Sequence, residues 1–368
     1  VENYPLISFF GVILKILLPS IYYPFIGGVS IHVENLIKNL NKLDDFEFHI
    51  LNYNFDETVK NSFENVTIHK VPYFSKLRGP SYILNGYKLG KKIIKDEKID
   101  LIHSHYAAPQ GFLGAILGKK CSIPTVLTLH GSDVLNLSKS SLGKYFFNYA
   151  VYNSEKIICV SEFLKNNLKS NFNIDSNVIY NGFDEELFNP SDSDKNYGLF
   201  VGSLVEQKGI FYFLESIKNI DFNFKIIGGG PLYNKILDFI KVNGIKNVEL
   251  LGPKTQSEVS EYLKNCSFLV LPSISEGLGM TIIEAFACKK AVIGTNVGGI
   301  PELIKDGING YIVPPKNTKA LEDKINMLVN DKMLRKSLGE KSLDTSKNFS
   351  WGLSSKKTYE IYNSLLNR

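Results

Sequence analysis

The sequence predicts an α/β protein made of two doubly wound parallel-sheet domains. Three observations predict it. Short apolar runs alternate with amphipathic segments along the chain, as they do where parallel strands are joined by crossover helices. One polar stretch without apolar periodicity, Phe188–Asn196 (FNPSDSDKN), divides that rhythm in two. And 368 residues, 44% of them apolar, exceed what a single core organises.

Taken in order, the strands of the first half are read as Leu14–Pro19, Phe46–Tyr53, Val66–Val71, Leu101–His105, Thr125–Leu129, Ile157–Val160 and Val178–Tyr180. Their near-continuous apolar character is that of strands covered on both faces. Helical spacing fills Val29–Leu40, Tyr82–Lys95, Gln110–Leu117 and Ser161–Lys169. After the polar stretch come Leu199–Val201, Phe224–Ile227, Val248–Leu250, Phe268–Leu271, Ala291–Ile293 and Tyr311–Val313. Trp351–Leu366 closes the chain with helical spacing. The apolar run Ile7–Leu18 is broken by Lys15; it is too short to span a bilayer and lacks the basic start of a signal peptide. The expected division is a leader over 1–13, a first domain over 14–190, a second over 191–348 and a closing helix within 349–368.

Composition narrows the function. The net charge of +5 is modest and lysines intersperse with acids, so a nucleic-acid stripe is not expected. Cys121, Cys159, Cys266 and Cys288 are scattered through apolar stretches, which reads as buried free thiols in a reducing cytoplasm. Residues 70–98 concentrate lysines among apolar residues. They fit a solvated helix with a buried stripe, or a surface resting on anionic lipid headgroups at the inner face of a membrane.

The most informative stretch follows the run Phe268–Leu271. Pro272, Ser273 and Ser275 break the strand, Gly277 and Gly279 make a loop, and a helical pattern starts at Met280. The first N–H groups of a helix lack internal partners and carry partial positive charge, so the loop favours an anion. Glycines let the backbone approach it closely. Glu276 lies in the loop and Glu284 about one turn into the helix. Carboxylates accept hydrogen bonds from diols, so a ligand with phosphate in its middle and hydroxyls at both ends, a nucleotide sugar, fits the pair. Read from these residues alone, an ordinary turn with two solvated acids fits as well.

Other loops add polar residues at strand ends, where ligands of open α/β sheets bind. Pro24–Val29 places Gly27 and Gly28 before a helix. His103 and His105 are two apart on a strand and share a face, as a metal pair or as plain strand-end residues; no histidine follows His130 to complete a ligand set. Thr128–Asp133 carries His130 and Asp133. In Val201–Gly209 (VGSLVEQKG), Lys208 opens a helix, where the dipole disfavours a cation unless a pyrophosphate is bound.

In this order the segments resemble the family 4 glycosyltransferases, retaining enzymes of the GT-B fold. Glu276 and Glu284 match the family's E-x7-E, His130–Asp133 its H-G-x-D, and Gly202–Gly209 its G-R-L-x-x-x-K-G, with Ser203 where arginine is usual. Tyr180–Phe188, Gly228–Pro231, Asn296–Glu302 and Asp306–Gly310 match further segments. The resemblance implies two facing Rossmann-like domains, with the last helix crossing back to the first. It implies a hexosyl-type transfer from a UDP- or GDP-linked sugar such as GDP-mannose to a glycan, lipid-linked or small-molecule acceptor, as in polysaccharide biosynthesis. His130, Glu276 and Lys208 would be catalytic. Gly28, Ser203, Lys208, Glu276, Leu278, Gly279, Met280 and Glu284 would hold the donor, and Asp133 and His105 would lie on the acceptor side. No cofactor or catalytic metal is expected. An epimerase or phosphorylase on the same fold, or a binding protein without turnover, are the alternatives, the last suggested by Ser203.

Overall fold

The computed structural model describes residues 13–24, 27–53, 63–137 and 140–367. The expected leader therefore lies, apart from Ile13, outside the described residues, as do Phe25 and Ile26 of the first glycine loop. The chain forms two compact units. The first comprises 1–160, 164–180 and 351–368; the second comprises 161–163 and 181–350.

The first unit holds a seven-stranded sheet: β1 (Leu14–Pro19), β2 (Phe46–Tyr53), β3 (Val66–Val71), β4 (Leu101–His105), β5 (Thr125–Leu129), β6 (Lys156–Cys159) and β7 (Asn177–Val178), in the order β3-β2-β1-β4-β5-β6-β7. All its pairings are parallel. The second holds β8 (Tyr197–Val201), β9 (Asn223–Ile227), β10 (Val248–Gly252), β11 (Phe268–Leu271), β12 (Ala291–Thr295) and β13 (Gly310–Val313), in the order β10-β9-β8-β11-β12-β13. They too are parallel. In each sheet the winding reverses once, at β1/β4 and at β8/β11, and the carboxyl ends of such a strand pair flank a crevice.

The central strands read as apolar runs because both faces are covered. Every residue of β8, β11 and β12 is buried, and Phe200, Phe213, Phe224 and Phe268 fill the second core beside Ile226, Val270 and Ile293. Four helices matter below: α1 (Gly28–Leu40), α2 (Arg78–Glu97), α3 (Met280–Ala287) and α4 (Trp351–Leu366). As the resemblance implies, α4 belongs to the first unit. It places Ile361 and Tyr362 in a core with Leu14, Ile16, Val33 and Leu36.

The division differs from expectation at both boundaries. The second unit begins at Asn181, not Ser191, and ends at Ser350, not Asn348. Residues 181–190 are fastened to it: Ser260 Oγ donates to Leu187 O at 2.5 Å, and Phe183 pairs with Ser350 in a short bridge. The polar stretch Phe188–Asn196 is no free linker. Asp194 takes a 2.8 Å ion pair from the buried Arg335, and Ser193 donates to Asn265 at 2.8 Å. Ser193 and Asp194 spend their polar groups on these bonds, while Asn189, Asp192, Lys195 and Asn196 face solvent.

The Tyr362 hydroxyl is buried and lies 2.6 Å from His103 Nδ1. Tyr362→Phe leaves the His103 Nδ1 unpaired in the core, so the protein should lose about 1–3 kcal/mol of stability, read from denaturant unfolding; an unchanged midpoint and slope would remove that bond from the account.

Candidate active site

In the second unit the loops after β8 and β11, on the two sides of the winding reversal, are tied together through main chain. Ile274 N donates to Gln207 O at 2.7 Å. Gly209 has φ +67°, and a Cβ there would stand 2.0 Å from Pro272 O; only glycine permits this approach. The expectation that Lys208 opens a helix is corrected. Lys208 ends a single 3₁₀ turn, Glu206–Lys208, and the following helix starts at Ile210. Its ammonium, mostly shielded, is paired with the Glu276 carboxylate. The cation is therefore matched by a carboxylate, and the dipole conflict that suggested a pyrophosphate does not arise in this form.

Glu276 is held from behind. Ser273 Oγ donates to its carboxylate at 3.3 Å, and Thr295 Oγ1 donates to Ser273 O at 2.6 Å. Gly298, at φ +58°, lies so close that a Cβ would meet Glu276 O at 1.7 Å. Gly279, at φ +101°, turns the chain into α3. Among the described residues, the N–H groups of Leu278, Gly279 and Met280 donate to nothing. Leu278 and Gly279 are buried and Met280 half-buried, so that turn presents a row of unspent donors at a helix start. Glu284, half-buried on α3, receives no hydrogen bond among the described residues. Burial pushes its carboxyl from 4.5 up to about 7. Ser203 is exposed beyond β8.

In the first unit, histidines gather near the carboxyl ends of β4 and β5. The His103 and His105 rings are 4.3 Å apart on one face, as their spacing predicts. His32 of α1 sits 5.0 Å from His105 and 4.9 Å from His130, and Trp351 of α4 lies 5.1 Å from His32. Both His103 nitrogens are engaged, by Tyr362 and, at 2.7 Å, by Thr128 Oγ1, so His103 is not free to ligate a metal. Burial holds His103 at about 3 and drives His105 and His130 well below the usual imidazole range.

Asp133 and His105, expected on the acceptor side, are fully buried. Asp133 accepts from the main-chain N–H of Gly131 at 2.8 Å, Val134 at 3.0 Å, Ala107 at 3.2 Å and His130 at 3.2 Å. It ties the His130 loop in place and offers nothing to an acceptor. Gly28 is the exposed first residue of α1, where a Cβ would meet nothing within 4 Å; packing does not demand a glycine there.

The sequence profile described as Glycosyl transferases group 1 matches residues 184–344, and that described as Glycosyltransferase Family 4 matches 26–187. An uncharacterized glycosyltransferase of Methanocaldococcus jannaschii is 53% identical over 340 residues, covering 92% of this chain and 95% of the relative. The chain belongs to glycosyltransferase family 4. Its fold is likewise that of solved GT-B glycosyltransferases. The sucrose-phosphate synthase of Thermosynechococcus elongatus superposes with a TM-score of 0.83 at 19% identity, over 96% of this chain and 99% of that one. HepE of Anabaena, solved with UDP and glucose, gives 0.80 at 18%, over 95% and 100%.

In this glycosyltransferase the structure brings Lys208 and Glu276 together and sets Glu284 on the helix that follows. Sequence reasoning missed Ser273 and Thr295, whose signal was only hydroxyl residues at strand ends, and His32, which looks like any helix residue until α1 packs. One group among the described residues, Glu47, His49 and Glu97, brings three potential metal-ligating atoms within 4.8 Å of one another. The Lys15 ammonium already lies 2.7 Å from Glu47 and 3.9 Å from Glu97, a built-in cation.

Because folding raises the Glu284 pKa, the folded state favours the protonated acid. Stability is fully present below about 4.5 and is lost as pH rises through about 7. Glu284→Gln should match the wild type near the lower value and exceed it by about 1–3 kcal/mol at pH above the upper one, measured by urea unfolding across pH; parallel profiles would contradict the buried acid.

Proposed function

We propose that this family 4 glycosyltransferase transfers a hexosyl group from a UDP- or GDP-linked sugar with retention of configuration and without a metal ion. The observation that carries the reading is the second unit's loop pair: Lys208 against Glu276, beside a glycine turn whose N–H groups are unspent among the described residues and a half-buried Glu284 that receives no hydrogen bond from them. A diphosphate supplies the anion those donors lack, and fixed positive charge stabilises it as it leaves. For that, Lys208 exchanges Glu276 for phosphate. Glu276, released, accepts from the sugar hydroxyls, and Glu284 accepts from the ribose diol, whose two donors favour its ionised form. Ser203 contributes a hydroxyl where relatives bring a second cation, so Lys208 carries more of the stabilisation. His130 offers a neutral imidazole at the carboxyl edge of the first sheet. The chain contributes no nucleophile in this scheme; the acceptor attacks from the face the diphosphate leaves. The likeness to a structure holding UDP and glucose supports a nucleotide-sugar donor.

A second observation bears on the acceptor. On α2 and the turn before it, Phe74 is 71% exposed and Leu77 and Leu84 are 60% exposed. Leu77, Pro80, Leu84, Lys88, Lys91 and Lys95 recur at helical spacing along one exposed face. Apolar residues that insert and lysines that meet headgroups suit an anionic bilayer surface, each lysine adding about 1 kcal/mol. This favours a lipid-linked acceptor. No helix of the described residues is long and apolar enough to cross a membrane.

The test of the reading is a thermal-shift panel of UDP-, GDP- and ADP-sugars in chelator, followed by anomeric analysis of the product; stabilisation only with added metal, or an inverted product, would reject it. Lys208→Ala should lower turnover about a hundredfold, assayed as nucleotide release with acceptor present. The paired change Leu77→Asp and Leu84→Asp should abolish sedimentation with anionic vesicles while leaving the donor-induced thermal shift intact.

A further inference from the structure

His105 is completely buried, yet among the described residues its Nε2 has no partner. Its Nδ1 lies 3.4 Å from His130 Nε2. His130 is half-buried, and its Nδ1 meets no partner among the described residues. The main chain of His130 is already fixed by Asp133, so what remains to be set is which ring nitrogen carries the proton.

The two imidazoles stay neutral because burial penalises the cation. Each therefore carries one proton. Two protons in the gap would clash, and none would set two lone pairs against each other, so one proton occupies it. If it sits on His130 Nε2, the His105 proton is stranded on a buried Nε2 with no acceptor. If it sits on His105 Nδ1, only a lone pair is stranded. Orphaned buried N–H groups are rarer than under-satisfied acceptors.

We propose that His105 is a positioning residue: it donates Nδ1–H to His130 Nε2 and so fixes His130 as the Nδ1–H tautomer, a neutral hydrogen-bond donor at the carboxyl edge of the first sheet. A second-layer partner that sets a histidine's tautomer is a common device around reactive imidazoles. In the transferase reading, on which this clause rests, the oxygen that receives the His130 Nδ1–H belongs to a bound substrate.

The test is nitrogen-15 NMR of the full chain labelled at histidine, with His130 assigned by its loss in His130→Asn. The wild type should show His130 protonated at Nδ1 and bare at Nε2; protonation at Nε2 overturns the proposal. His105→Phe removes the donor and should leave His130 a mixture of tautomers, whereas His105→Asn keeps an amide N–H near the place of Nδ1 and should restore the single form. An unchanged tautomer in His105→Phe also overturns it. In the transfer assay, His105→Phe should lower kcat about tenfold and His105→Asn should recover it to within about threefold, with donor KM moving little in both. If no transfer occurs in any form, the functional reading fails while the tautomer still decides the role of His105.

Discussion

Lys208 and Glu276 neutralise one another on loops that follow two adjacent strands, β8 and β11. The rest of the second unit's candidate site depends on that pairing. A lysine and a glutamate held this way, mostly shielded from solvent, need a backbone that cannot drift. Gly209 against Pro272 O and Gly298 against Glu276 O provide it, since any side chain at either position would push the loops apart. The ion pair is also a store of charge. In the proposed reaction a diphosphate takes the cation, and the freed carboxylate is left where hydroxyl donors arrive with it.

Much of this was legible in the sequence, for identifiable reasons. Parallel strands buried on both faces announce themselves as apolar runs, so β1 to β5 were placed nearly residue for residue. The E-x7-E spacing and the glycines of the loop fixed the carboxylates relative to α3. Sequence carries less information about what a polar residue faces. Asp133 reads the same whether it greets an acceptor or collects four backbone N–H groups. The stretch Phe188–Asn196 reads as a linker because its polar atoms are visible and their partners, Arg335 and Asn265, lie far along the chain. Lys208 was placed on a helix because one αL glycine, Gly209, was enough to turn a helix start into a 3₁₀ end.

The histidines show the same limit from the other side. Two of them on one strand fit a metal pair or plain strand-end residues; the fold assigns each a separate place. His103 is saturated by Tyr362 and Thr128, His32 is set edge-on to Trp351, and His105 faces His130. Burial keeps His103, His105 and His130 neutral, so hydrogen bonds rather than charge order these three.

The helix α4 comes last in the chain yet belongs to the first unit. During synthesis, strands β1 to β7 leave the ribosome long before Trp351 and Tyr362 exist. Until Tyr362 has been made, His103 lacks its phenol partner and the core around Leu14 and Ile16 stays open on one side. The first unit is thus completed only once Trp351 to Leu366 have been made, and a chain cut short before Trp351 leaves that unit without one of its packing helices.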